Sequence, residues 1–129
     1  MSILDFPKKI DWIVHYVFEE RGPGGSTNAH THGMENYGQM DFQLVIPVVP
    51  KKATVLLNAI ALEVQKGKRF VEGDYPEKTV YNTAFRLKRV RETGRIVLRI
   101  IMPDPNLRFP EDPLCEEPYK YQTEKMFEY

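Results

Sequence analysis

The stretch "DFQLVIPVVPKKATVLLNAIALEVQKG", Asp41 to Gly67, changes its apolar period part-way, and that change decides the fold class. Over Asp41 to Val49 the apolar residues alternate. Phe42, Leu44, Ile46 and Val48 share one face, as a strand requires, while Val45 and Val49 make the other face apolar too. Pro47 has no amide hydrogen to give a ladder, so this strand is expected at a sheet edge or with a bulge there. From Lys51 the spacing becomes helical: Leu56, Leu57, Ile60, Ala61 and Val64 form one stripe. Pro50 suits a helix start, Lys66 its negative end, and Gly67 a stop. A long helix over about residues 51–66, with its stripe on a sheet, is the expectation.

Other strands are read outward from there. "DWIVHYVFEE" is β-branched and aromatic, with Trp12, Val14, Tyr16 and Phe18 on one face and Ile13, His15, Val17 and Glu19 on the other. "RGPGGS" breaks the chain, and "NAHTHGM" resumes as a second strand ending near Gly33. "FVEGDYPEKTVYN" is irregular, with a short strand expected around Thr79 to Asn82. "AFRLKRVRE", a turn at Thr93-Gly94 and "RIVLRIIMP" make a hairpin. Its second strand carries a core face of Ile96, Leu98, Ile100 and Met102. In its first strand Phe85 and Leu87 have odd parity and Val90 even, so a bulge is expected near Lys88. "PDPNLRFPEDPLCEEP", with five prolines, must be extended and turn-rich, and "YKYQTEKMFEY" is a short helix or an extended tail. The sum is an α+β fold, a single largely antiparallel sheet of five or six strands packed against one helix. Residues 1–129 read as one domain, with 103–129 as its proline-rich, acidic closing segment.

Composition narrows the class. The chain has 129 residues, 42% hydrophobic and 28% charged, enough to bury a core without disulfide or metal. Eighteen basic residues balance eighteen acidic ones, so no nucleic-acid partner is expected. Cys115 is the only cysteine, which excludes an internal disulfide and argues against a secreted scaffold. Asp5, Lys8 and Lys9 interrupt the order of a signal peptide, and no stretch reaches the roughly 18–20 apolar residues of a membrane helix. A cytoplasmic location without membrane contact is expected.

Chemistry concentrates in three places. His30 and His32 lie two apart, so on a strand they point the same way, about 6.6–6.8 Å apart along the backbone. Both could reach one divalent ion such as zinc, with His15, Glu35 or Asp41 as a third ligand. The competing reading is of strand histidines hydrogen-bonded to backbone or carboxylate. Spacing excludes a cupin, and length excludes an amidohydrolase barrel. Next, Arg86, Lys88, Arg89, Arg91, Arg95 and Arg99 crowd the hairpin, opposed only by Glu92. Guanidinium forks suit a small anionic ligand, but Glu111, Asp112, Glu116, Glu117, Glu124 and Glu128 offer internal partners instead. Third, Asp104, Arg108 and Asp112 sit among prolines, where Arg108 either binds a ligand or pairs with an acidic neighbour. Negative neighbours raise the Cys115 thiol pKa and oppose reactivity. No nucleophile elbow, phosphate loop or dinucleotide fingerprint is present.

The segments "AHTHGMENYGQMDFQLVIP", "LLNAIALEVQKGKRF" and "MPDPNLRFPEDPLC" resemble a family of small bacterial domains of unknown function. The likeness lies in the step Thr31-His32-Gly33-Met34, in a Leu57-Asn58 helix closed by Gly67, and in the closing Pro-Asp step with its Arg-Phe-Pro loop. It spans most of residues 10–122 and implies the fold and a bacterial or phage origin, with no reaction attached.

The first expectation is therefore a small binding or interaction domain for an anionic ligand or a protein partner, with candidate residues His30, His32, Glu35, Arg86, Arg99 and Arg108. The alternatives are a metal-dependent hydrolase using His30, His32 and a carboxylate, its ion activating a water, with His15, His30 and His32 as candidate metal ligands, and an accessory or immunity-type protein. Apart from such a metal no cofactor is expected, and Tyr119, Tyr121 and Phe127 are candidate contacts of a homodimer.

Overall fold

A computed structural model of the chain describes residues 11–19, 26–46, 48–76, 80–92, 94–117 and 119–123. The strands are β1 (Ile13–Glu19), β2 (Ser26–His32), β3 (Phe42–Ile46), β4 (Gly73–Tyr75), β5 (Phe85–Glu92) and β6 (Arg95–Ile101). One helix, α1 (Pro50–Gln65), lies between β3 and β4, and 3₁₀ turns occupy Met34–Tyr37 and Tyr119–Tyr121. The sheet order is β1-β2-β3-β6-β5-β4. It consists of two antiparallel meanders joined at the centre by one parallel pair, β3 with β6.

The α+β class and the mostly antiparallel sheet agree with the sequence reading. At 16 residues the helix has ordinary length and is not the long element expected. It runs across β1, β2 and β3, burying Ala53, Leu57, Ile60, Ala61 and Val64 against Trp12, Ala29, Phe42 and Leu44. The Trp12 indole N–H donates to the Asn58 side-chain oxygen at 2.9 Å, which ties β1 to the helix. Gly67, at φ 114, ends it, with Gly67 N–H donating to Val64 O and Lys68 N–H to Glu63 O.

Three details differ from expectation. β3 is central and fully buried; it stops at Ile46, so no edge placement is needed to accommodate Pro47, which is itself outside the described residues. The β5–β6 register runs without interruption from Arg86↔Ile101 to Glu92↔Arg95, so there is no bulge at Lys88. Val90 stands opposite Val97 on the face away from α1, where an apolar pair is satisfied without changing faces. The short strand is Gly73–Tyr75; residues 80–82 form none, and residue 79 is not described. Tyr75 stacks on Phe85 at 5.0 Å and Asp74 pairs with Arg86, cross-strand contacts that strand propensity at Gly-Asp-Tyr does not announce. The loop at 20–25, Thr93 in the hairpin turn and the tail from residue 124 lie outside the described residues.

Residues 103–117 and 119–123 are extended and turned, as the prolines there demand, and Gln122 O, accepting from Arg99 Nη1, lays the segment over part of the face opposite α1. Val97, Arg99 and Ile101 are buried on that face. The Asp104 carboxylate is fully enclosed; it accepts the N–H groups of Asn106, Arg108 and Glu116 and the Arg108 side chain. Burial alone would raise the Asp104 pKa, but these donors hold it at about 2. What this strap leaves open is the β1–β2 end of the sheet.

Candidate histidine cluster on the open sheet face

The β1–β2 register sets His15 directly opposite His30 and Ile13 opposite His32. Ala29 and Thr31 alternate with the histidines and are buried on the helix side, so all three imidazoles stand on the open face. Ring centroids are 4.6 Å apart for His15–His32, 4.7 Å for His30–His32 and 5.8 Å for His15–His30. Sequence spacing alone aligned two of the three; strand pairing brings in His15.

A charged pair anchors the cluster. Arg95, at the start of β6, donates from Nη1 to His32 Nδ1 at 2.6 Å and from Nη2 to Asp41 Oδ2 at 2.8 Å and Thr31 O at 3.2 Å. Asp41 is buried; its Oδ1 accepts the Thr31 hydroxyl at 2.9 Å and Met34 N–H at 3.1 Å. Gly33 makes that last contact reachable by turning the chain at φ 121, where a Cβ would sit 3.0 Å from Asp11 O and Trp12 Cα.

The donor inventory sets the tautomers. A guanidinium has no acceptor, so His32 Nδ1 must be the lone pair that Arg95 meets, and His32 carries its proton on Nε2. His32 Nε2 lies 3.0 Å from His30 Nε2. That contact is then a hydrogen bond from His32 to His30, which leaves the His30 proton on Nδ1. Both rings are held neutral. Burial first, then the neighbouring His32, Arg95 and His15, depress the His30 pKa to about 4. Burial and the adjacent Arg95 lower that of His32 as well.

These protons also bear on metal binding. Two ligands of a tetrahedral zinc stand about 3.3 Å apart, from bonds of about 2.0–2.1 Å, so the two ring tips have nearly that spacing. One of those tips, however, carries a proton while Arg95 occupies His32 Nδ1. The His15 and His30 rings are also nearly parallel, at 16°, which does not aim their in-plane lone pairs at a shared point. Among the described residues no three His, Cys, Asp or Glu side chains form a group able to hold an ion.

The other sequence candidates lie elsewhere. Glu35 is exposed on the first 3₁₀ turn and acts on His32 only through its charge. Arg86, three strands and so about 14 Å from β2, donates to Asp74 at 2.6 Å and to Glu111 at 2.7 Å, and lies over the Phe109 ring. The Glu111 contact is the hairpin-to-tail pairing that the charge pattern suggested. Arg99 is buried, donating to Gln43 Oε1 and Gln122 O. Arg108 pairs with Asp104 at 3.0 Å. Each of these three guanidiniums thus has its own set of partners. Burial and then Asp104 raise the Cys115 thiol pKa, as the sequence led us to expect, with Asp104 rather than the adjacent glutamates as the main charge.

Beside the cluster, β1 is unusually apolar at its surface. Ile13 is 59% exposed, Tyr16 55%, Val17 55% and Phe18 40%, and among the described residues β1 pairs only with β2. No helix among the described residues is long and apolar enough to cross a membrane.

No protein-family model, curated protein or solved structure matches this chain.

Proposed function

We propose that this chain is an interaction domain that takes a protein partner on the β1 side of its sheet. The observation that carries the reading is β1 itself: four large apolar side chains are exposed along an edge strand with no charged residue from Ile13 to Phe18. Edge strands that stay single are normally blunted by charge, proline or a bulge, and exposed apolar patches of this kind mark contact surfaces. The His30 and His32 imidazoles beside it are held neutral, and β1 itself carries no Asp, Glu, Lys or Arg from Ile13 to Phe18, so this surface has the low charge typical of an interface core.

A small anionic ligand is the weaker form of the same reading, because Arg86, Arg95 and Arg108 each already face a carboxylate. The balanced net charge supports protein over nucleic acid, and the single buried thiol supports a cytoplasmic setting. Membership of the small bacterial domain family that the chain resembles belongs to the same proposal.

The test is site-specific photo-crosslinking in cells, with the photoreactive residue at Ile13 and, as control, at Val55 on the exposed side of α1, which is 61% exposed. A discrete protein adduct from Ile13 and none from Val55 is expected. Equal or absent labelling from the two positions would refute the reading.

A further inference from the structure

Resting on that reading, we infer that the partner is a second copy of this chain, joined by antiparallel pairing of β1 with β1 about a two-fold axis at His15. A two-fold axis perpendicular to the sheet keeps each face continuous across the joint, so only residues on the same face can stand opposite one another. That restricts the register to those centred on a residue. Centred on His15, Ile13 meets the partner's Val17, Val14 meets the partner's Tyr16, and His15 meets the partner's His15.

No position from Ile13 to Val17 then faces an Asp, Glu, Lys or Arg. A centre on Val14 would set Val17 against Asp11, and a centre on Tyr16 would set Ile13 against Glu19. With the His15 centre these two acidic positions meet only at the ends of the paired segment, outside the Ile13–Val17 stretch. The side chains that the lone protein exposes, Ile13 and Val17 on the histidine face and Tyr16 on the helix face, are those the pairing covers. The N–H and C=O groups on the side of β1 away from β2, which face no strand among the described residues, gain ladder partners in the same step. Two histidine clusters thereby become neighbours across the axis, His15 of each copy lying within 4.6 Å of its own His32 ring.

Light scattering on the full-length protein after size exclusion reads the mass. The wild type is expected at twice 15.1 kDa. Val17→Lys places an ammonium opposite the partner's Ile13 and is expected at the single mass with an unchanged circular-dichroism spectrum, because Val17 is already more than half exposed within its own copy. Register is read by mild oxidation. His15→Cys should cross-link to a dimer, since opposed Cβ atoms lie about 4.5–5.5 Å apart. Tyr16→Cys, which faces the partner's Val14, should not, and the wild type with its buried Cys115 is the blank. A monomeric wild type, a Val17→Lys dimer, or cross-linking of Tyr16→Cys as readily as His15→Cys overturns the inference. A monomer that still yields an Ile13 photo-adduct with a different protein overturns self-pairing and leaves the interaction reading standing.

Discussion

Lowering the pH from 7 to 5 should destabilise this protein through His30. In the folded chain that imidazole titrates at about 4, against 6.5 when free. Between those two values the unfolded chain binds a proton that the folded chain refuses, so stability falls as the pH drops through 6.5 and the loss is complete only below 4. For a fully shielded ring the linkage gives about 2 kcal/mol of loss between pH 7 and pH 5, at about 1.4 kcal/mol for each pH step over which only the unfolded chain holds the proton. His30 is half-buried, and solvent screening brings the expected loss to about 1 kcal/mol. His32, lowered for similar reasons, adds to it with the same sign. The carboxylates do not confuse this window, because Asp104 titrates near 2 and Glu111 and Glu117 are also lowered. The assay is urea unfolding at pH 7, 6 and 5, comparing the wild type with His30→Gln, which keeps an acceptor for the His32 Nε2–H but cannot titrate. The wild-type midpoint should fall toward pH 5, and the variant's should fall less. A wild-type midpoint that stays level or rises would refute the tautomer assignment and the neutral His30–His32 pair with it.

Replacing Arg95 with Met leaves a buried Asp41 oxygen without its cation, and should cost about 2–3 kcal/mol in urea unfolding. It should also raise the His32 pKa in an NMR titration, since Arg95 is among the groups that depress it. Gly33→Ala forces a Cβ to within 3.0 Å of Asp11 O and Trp12 Cα at a φ that favours glycine, for a loss of about 1–3 kcal/mol in the same assay. Zinc should leave the wild-type melting temperature unmoved, because Arg95 holds the His32 Nδ1 lone pair and so keeps a proton on Nε2; a clear rise on adding zinc would mean that this contact yields to the metal.

Much of this architecture is legible in local pattern. The change of period between Asp41 and Gly67 gives strand then helix, and alternation in "NAHTHGM" already places His30 and His32 on one face. Parity also sorted β1 correctly, with His15 and the exposed Ile13 and Val17 together. It misled at Val90, because parity infers one buried face, whereas the closing segment buries apolar residues on the second face of β6. The candidate site was only half visible for a related reason. His15 joins it through the register of β1 on β2. Arg95 reaches Asp41 across 54 residues of sequence, through the contact of β6 with β3.

Periodicity records which way each side chain points relative to its own backbone, a property of the residues in a short window, and so the chain by itself determined the helix, most strands and most of the inward faces, with Val90 and the exposed Ile96 as exceptions. Which strand lies beside which depends on the free energy of burying whole faces together, to which residues far apart contribute jointly. Only the tertiary structure therefore decided the parallel β3–β6 junction, the strap over Arg99, the gathering of three imidazoles around one guanidinium, and the exposure of β1 at the edge.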